Sequence, residues 1–471
     1  MKAVIRFLLL TALSVLPLFG EAQSLPRVSP ESVGLDATRL TNADTAIQAE
    51  IAKGRIPGAV LAVVRNGQMA YLKAYGHRAV YPKSLPMTVN TVFDLASCSK
   101  SLSTAICVMQ LIEAGKVRLN DPVRLFIPQF KSWRNGADTT TIRIIHLLTH
   151  TSGLPPYAPV EQIRKRCGSP CPDSLMAYIA TCRRDFAPES KFQYSCLNFV
   201  TLQHIVETVT HQSLRDYAAS HIFQPLGMAH TDYLPCRADA RGRWINTDSP
   251  RWVKAGERPG DTPIAPTERQ KDGSVLLGQV HDPLARVLNG GISGNAGLFS
   301  SADDIAVLCA CLLHEGSWNG HRILAPLTVK TMRTVPPSLA AFGRALGWDV
   351  CSPYASNKGD LLSNATFSHT GYTGTSVVID PDNDLAIILL INAVHPDDKY
   401  SVVRLRSLVA NAVAGAINEP SGSSTSGTTL TAAMPPFFPL ASVSSVWWGR
   451  ASSWPTPASA STRCDPEYTK N

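Results

Sequence analysis

The chain has 471 residues, 44% of them hydrophobic and 17% charged, with a formal charge of +8 at neutral pH. That balance suits a globular protein with a substantial core and excludes a disordered chain. The cationic excess is dispersed, with no lysine/arginine block, so nucleic-acid binding is not indicated.

The chain opens on a basic start, Met1-Lys2 and Arg6, followed by an apolar stretch at 7–19 and the small-residue ending Gly20-Glu21-Ala22. This reads as an export signal over residues 1–22, with Gln23 beginning the mature chain and a periplasmic or secreted destination. The stretch is short for an anchor, and no later segment is long and apolar enough to cross a bilayer, so no stable membrane span is expected. Residues 30–53 carry a helical pattern. Residues 60–65 and 68–76 flank Asn66-Gly67 and read as a β-hairpin with a two-residue turn. An extended run at 91–96 then gives way to an apolar helical pattern at 102–113 that stops near Gly115.

Further along, 140–149 is expected to be helical and to lead into the loop Thr151-Ser152-Gly153-Leu154-Pro155-Pro156. Residues 175–184 and 197–210 read as helices, 236–282 as a long polar, irregular excursion, and 302–314 as a helix. Residues 375–379 and 385–392 flank Pro381-Asp382-Asn383-Asp384 as a second hairpin, and 402–417 closes as a helix. Strands at both ends with helices between them predict an α+β fold: an antiparallel sheet made by the termini, flanked by helices, with an inserted helical subdomain. The globular domain is placed at 23–417. The Ser/Thr/Gly-rich and then Pro/Ala/Trp-containing stretch 418–471 reads as a poorly ordered tail.

Eleven cysteines are an odd number for an exported chain. Cys167 and Cys171 flank Gly-Ser-Pro, with Cys182 nearby, and a local disulfide there would fit an oxidising compartment. Cys107, Cys309 and Cys311 fall in apolar helical patterns and read as buried thiols. No Cys-x-x-Cys pair or His/Cys cluster points to a metal site.

The chemistry is sought at Ser97-Cys98-Ser99-Lys100, at the mouth of the 102–113 helix. Three residues is close to one helical turn, so Ser97 and Lys100 share a face. A neutral lysine amine can take the proton of a serine hydroxyl, which is a poor nucleophile unaided. The helix start offers backbone N–H groups to a developing oxyanion.

Two more stretches join this pair: Tyr194-Ser195-Cys196-Leu197-Asn198, and His369-Thr370-Gly371-Tyr372-Thr373-Gly374 ahead of a strand. In this order the three resemble the motifs of the serine β-lactamase/penicillin-binding protein superfamily, in its class C β-lactamase, DD-carboxypeptidase and esterase branch. The stretches His146–Leu154 and Asn295–Asp304 are similar too, and the likeness spans roughly residues 29–417.

The resemblance implies a β-lactamase/transpeptidase-like fold with Ser97 as nucleophile, Lys100 as its base and Tyr194 as proton relay. It implies that His369, Thr370, Gly371, Tyr372 and Cys196 line the substrate site, with the Ser97 and Tyr372 N–H groups as oxyanion hole. The Lys100 pKa would have to fall through desolvation and a nearby cation. Activity is expected to fall below about pH 6.5, because Lys100 must be neutral and His369 titrates near there. His150 matches a family position and is read as structural.

One departure stands out. Relatives usually carry Asn or Asp where this chain has Cys196, and a thiol is a weak donor and acceptor. That puts peptide or β-lactam recognition in doubt and leaves Ser97, Lys100 and Tyr194 untouched. A Cys98–Cys196 disulfide is a further expectation of the implied fold.

The resulting reading is an exported serine hydrolase working through an acyl-enzyme on a peptide, ester or β-lactam carbonyl, with carboxypeptidase or esterase ranked above true β-lactamase. Its partners would be a small-molecule or peptide substrate, peptidoglycan fragments among them, with no metal or organic cofactor. The rival is a non-hydrolytic penicillin- or wall-fragment-binding sensor domain on the same fold. The sequence is silent on oligomeric state.

Overall fold

A computed structural model describes residues 24–253 and 263–418. The leader read at 1–22, and all but the first residue of the tail read at 418–471, lie outside the described residues.

The organising element is a six-stranded antiparallel sheet. Its strands are β1 (Gly58–Arg65), β2 (Gln68–Ala79), β3 (Leu85–Pro86), β4 (Phe367–Thr370), β5 (Ser376–Asp380) and β6 (Leu385–Ile391), in the order β4-β5-β6-β1-β2-β3. The β1–β2 turn is the expected Asn66-Gly67, with φ of 52° and 68°. Both central residues of a tight turn matched to strand twist need positive φ, which Asn and Gly supply at low cost. β1 also pairs with β6, from Ala59 opposite Ile391 to Arg65 opposite Leu385. The two ends of the domain therefore meet in the middle of the sheet, as the sequence predicts.

Every residue of β1 and β6 is buried, because both sheet faces are covered. Ala59, Leu61 and Val63 join Leu40 and Ile47 of helix α1 (Ala37–Ala52) in one apolar cluster. Val409 and Val413, from the closing helix at 403–414, complete it. Val60, Ala62 and Val64 share the larger cluster on the other face with helices α2 (Ile106–Glu113), α3 (Cys196–Thr210) and α4 (Ala302–Leu313). The closing helix is α5 (Val403–Ala414). A fully buried Leu or Val contributes about 1.5–3 kcal/mol relative to exposure, so the continuous apolar runs of β1 and β6 need both layers.

The helical region lies between β3 and β4 in sequence. Two expectations there are corrected. Residues 140–149 are not one helix: Asp138–Thr140 pairs with Trp133–Asn135 as a small hairpin, and only Ile144–Leu148 is helical. Three consecutive threonines, 139–141, favour extended backbone because both Cβ substituents crowd a helical turn. The excursion at 236–282 is not wholly irregular either. It holds a short hairpin, Cys236–Ala238 with Trp244–Asn246. Its Trp252 and Val280 also pack with Leu234 and Ala285 in a third apolar cluster.

Candidate active site

A three-stranded ribbon places the Ser97 turn. Phe93–Asp94 pairs with Leu298–Ser300, which also pairs with Asp232–Tyr233. The Asp94 carboxylate is buried and accepts from the Ala96 N–H at 2.8 Å and the His281 N–H at 2.6 Å. Ala96 is thereby held at a φ of +45°, which a non-glycine residue rarely adopts. Ser97 follows, half-buried, and the chain turns at once into a π-helical stretch, Lys100–Ala105, continuous with α2.

Lys100 is buried at the start of that stretch. Its Nζ lies 2.9 Å from Ser97 Oγ, 2.8 Å from the carbonyl oxygen of Asn295 and 3.8 Å from Cys196 Sγ. The same Nζ sits 5.0 Å from the centroid of the Tyr194 ring. Tyr194 reaches this point on a loop ending at α3, and its ring stacks on His150 at 4.4 Å. His150 is fully buried, and its Nδ1 accepts from the Ser195 N–H and the Asn198 side-chain amide, both at 3.1 Å. This is a positioning part: a buried ring that fixes the Tyr194 arm.

The opposite wall is the β4–β5 turn, 371–375. A Cβ on Gly371 would lie 2.4 Å from the Leu95 carbonyl and 2.1 Å from Thr375 Oγ1, so only glycine permits this approach. Thr373 and Thr375 donate to the Asp94 and Leu95 carbonyls at 2.8 and 3.0 Å. These contacts lay Tyr372 beside the Ser97 turn. Among the described residues neither the Ser97 N–H nor the Tyr372 N–H donates to a protein acceptor. The Tyr372 side chain is half-exposed, stacks on His281 and donates to Asp398.

His369 Nδ1–H donates to the Thr370 carbonyl at 2.8 Å. Its Nε2 is buried with no partner among the described residues, and its ring lies 6.2 Å from that of Tyr194. Desolvation, with the positive charge of Arg344, holds its pKa well below the usual histidine range. The expectation that His369 titrates near pH 6.5 is therefore corrected: it is neutral there, with a lone pair on Nε2.

Lys100 also departs from expectation. Burial pulls its pKa down, ionised Cys196 and Tyr194 pull it up, and the net direction is up. Burial raises the Cys196 thiol itself. At neutral pH that sulfur is uncharged and exerts no such pull, which leaves the Tyr194 hydrogen bond and the Asp282 charge set against desolvation.

The two expected disulfides are absent. Cys167, Cys171 and Cys182 are free thiols, one exposed, one buried and one half-buried, and Cys182 Sγ instead accepts from Arg184 at 3.2 Å. Cys98 and Cys196 are also free. Cys98 Sγ faces the His369 carbonyl at 3.7 Å, whereas Cys196 Sγ faces Lys100. No group of three or more His, Cys, Asp or Glu side chains placed to hold a metal occurs among the described residues.

Three contributors escaped sequence reading. Asn295 supplies a backbone carbonyl, which carries no side-chain signal. Arg344, paired with Asp349 at 3.0 Å, places a buried cation 5.9 Å from the Tyr194 ring. Arg406, on α5, donates to the Gly371 and Thr375 carbonyls at 2.7 and 3.0 Å. Each is a lone residue joined to the site only by the fold.

An antiparallel sheet covered by helices, with a helical insert beside it, is the β-lactamase/transpeptidase-like architecture. The solved hydrolase EstCE1, described as having promiscuous acyltransferase activity, superposes with a TM-score of 0.60 at 24% identity, over 80% of this chain and 99% of that one. An octameric penicillin-binding protein homologue from Pyrococcus abyssi gives 0.57 at 22% identity, over 78% and 76%. A family profile described as Beta-lactamase matches residues 43–411, and the chain belongs to that family of serine hydrolases. It is 33% identical over 416 residues, 84% of this chain and 92% of the relative, to a protein of Escherichia coli (strain K12) named "Putative D-alanyl-D-alanine carboxypeptidase". A Salmonella agona (strain SL483) protein of the same name is 33% identical over 394 residues, 79% of this chain and 86% of that one.

Proposed function

We propose that this protein is an exported serine hydrolase of the DD-carboxypeptidase type, cleaving the C-terminal peptide bond of a D-Ala-D-Ala-ending peptide through an acyl-enzyme on Ser97. The observation that carries the reading is the 2.9 Å contact between Lys100 Nζ and Ser97 Oγ, beside Tyr194. A neutral Lys100 amine has two hydrogens and one lone pair. The Asn295 carbonyl and the Cys196 sulfur take the hydrogens, which leaves the lone pair for the Ser97 hydroxyl proton.

Ser97 Oγ then attacks the carbonyl carbon, and the oxyanion is received by the Ser97 and Tyr372 N–H groups. Tyr194, between Lys100 and His369, passes the proton to the departing amine, which leaves with the C–N bond. Water repeats the sequence on the ester, returning Ser97 Oγ–H and releasing the acid. Arg406, bonded to carbonyls and in no ion pair among the described residues, places positive charge behind the pocket, which suits a substrate with a free carboxylate. The family relatives' names support this substrate class, and the 1–22 leader supports export.

A second reading, ester hydrolysis, is favoured by Cys196, which offers no amide to a peptide substrate, and by the uncharged His369.

A panel of p-nitrophenyl esters, nitrocefin and a D-Ala-D-Ala peptide, run with Ser97→Ala, tests the assignment. Peptide turnover is expected in the wild type, with turnover and labelling by fluorescent penicillin both lost in the variant. Labelling that survives Ser97→Ala would falsify the nucleophile. Ester turnover without peptide turnover selects the second reading, and a burst of acylation without turnover selects a sensor domain.

A further inference from the structure

A cleft of about 1050 Å³ opens on the helical region, and none of Ser97, Lys100, Tyr194 or His369 lines it. Small-molecule sites run to about 1,000 Å³, so it can hold a ligand of several rings. One wall comes from 124–135, ending in the small hairpin, and the other from 181–190. The walls are riveted by Arg184, which is buried and satisfied: it donates to the carbonyls of Ile179, Ala180, Cys182 and Lys131 at 2.7–3.1 Å. The groove is therefore built, not a chance gap between mobile loops.

Its charge is one-sided. Arg124, Lys131, Arg134 and Arg183 are exposed in the lining, and none has a side-chain hydrogen bond or ion pair among the described residues. Asp185 is the one carboxylate of the lining among the described residues, and it accepts from Gln193 at 2.8 Å. Four unneutralised cations around one concavity repel each other, an arrangement that an anionic ligand relieves. Trp133, half-buried in the same wall, adds a flat apolar face, and Gln129, Ser132 and Asn135 add amide and hydroxyl groups.

We propose that this cleft is a second binding site, for an acidic oligosaccharide. Carboxylate or other anionic substituents would meet the four cations, one sugar face would lie on Trp133, and ring hydroxyls would meet the neutral polar groups. Of the aromatic rings in the lining, Phe130 and Phe186 are buried and Trp133 alone is half-exposed; one accessible ring among hydroxyl-matching groups favours a glycan over single-stranded nucleic acid, which stacks successive bases on several rings. Cations set around a concavity suit a chain-like ligand better than a bilayer, which meets a protruding surface. The cations are spaced along two separated segments, 124–135 and 181–190, which is why no basic block is visible in the sequence.

The cleft also borders the site arm. The 185–190 wall is laid on the catalytic-side loop through Asp185 N–H to Gly153 O at 2.7 Å and Glu189 N–H to Thr151 O at 2.9 Å. Tyr194 follows four residues after Ser190.

The test is equilibrium binding of the full chain to oligogalacturonate by calorimetry at low salt, with a neutral chito-oligosaccharide, tripolyphosphate, a single-stranded oligonucleotide and anionic lipid vesicles as the other arms. The acidic sugar is expected to bind tightest, with affinity falling as salt rises. Arg124→Gln/Lys131→Gln/Arg134→Gln/Arg183→Gln should weaken it at least about tenfold. Hydrolysis of a small ester should stay at the wild-type rate in that variant. Trp133→Ala should weaken the acidic sugar and leave tripolyphosphate unchanged. The proposal is overturned by absent oligogalacturonate binding, by binding indifferent to the four-site variant, or by tripolyphosphate, oligonucleotide or vesicles outcompeting the sugar.

Discussion

His369 enters the site as an acceptor. Its Nδ1–H is committed to the Thr370 carbonyl, and burial with the Arg344 charge keeps the ring neutral. Because its pKa lies well below 6.5, the ring is uncharged across the working range and adds no acid limb to the rate profile. Any acid limb in the profile is therefore assigned to a group other than His369. His369→Asn should lower kcat/KM by roughly 10–100-fold at every pH, with the position of the acid limb unmoved. A limb that shifts by a full pH unit in the variant would show that this imidazole titrates after all. Cys196 makes the complementary case. Its Sγ lies 3.8 Å from Lys100 Nζ, at the motif position where the family resemblance leads one to expect an amide. Cys196→Asn should raise D-Ala-D-Ala peptide turnover relative to ester turnover by about tenfold, the worth of one well-placed hydrogen bond, read from the ratio of the two kcat/KM values.

At the scale of elements, the β4–β5 turn and the first turn of α4 make opposite demands. Gly371→Ala drives a methyl into the Leu95 carbonyl and Thr375 Oγ1. It should destabilise by about 2–4 kcal/mol, as overpacking against backbone does, and cut acylation more than a thermal melt alone would explain, because the Tyr372 N–H moves with the turn. In α4, Asp304 is fully buried, accepts from Thr231 Oγ1 at 2.7 Å and the His230 N–H at 2.6 Å, and has its pKa pushed up to about 7 by desolvation. The native carboxyl keeps its proton to about pH 7, while the unfolded one releases it near 3.8. Between those values the folded chain binds more protons, so this group's contribution to stability is present in acid and lost as pH rises through the window. Asp304→Asn should flatten that slope, measured as Tm between pH 5 and 8.

Local signals account for what the sequence revealed at this scale. Asn66-Gly67 and the apolar periodicity of 197–210 and 302–314 mark turns and helices that need no distant partner. Ser97, Lys100 and Tyr194 were legible because motif order encodes a shared groove. The Thr139–Thr141 run defeated a helix reading through its own β-branched chemistry. Arg344, Arg406 and the Asn295 carbonyl were not legible, since each acquires its place only through contacts far away in sequence.

For the whole molecule, α5 is both cladding and part of the site's support. Val409 and Val413 cover the sheet, while Arg406 ties down the Gly371 and Thr375 carbonyls. A chain ending at residue 402 should therefore fail as a soluble, cooperatively folded protein, whereas Arg406→Met should stay folded, melt lower by a few degrees for each kcal/mol lost, and lose activity. Circular dichroism melts beside ester assays separate the two effects.

The pairing of Ala59 with Ile391 joins partners roughly 330 residues apart, which places the domain among slow, long-range topologies. A ribosome extends a chain by about 5–20 residues each second. For tens of seconds, then, the nascent polypeptide carries its serine and lysine with no finished sheet to seat them. Activity must switch on only after synthesis has delivered the last strand, so a half-made copy is chemically silent.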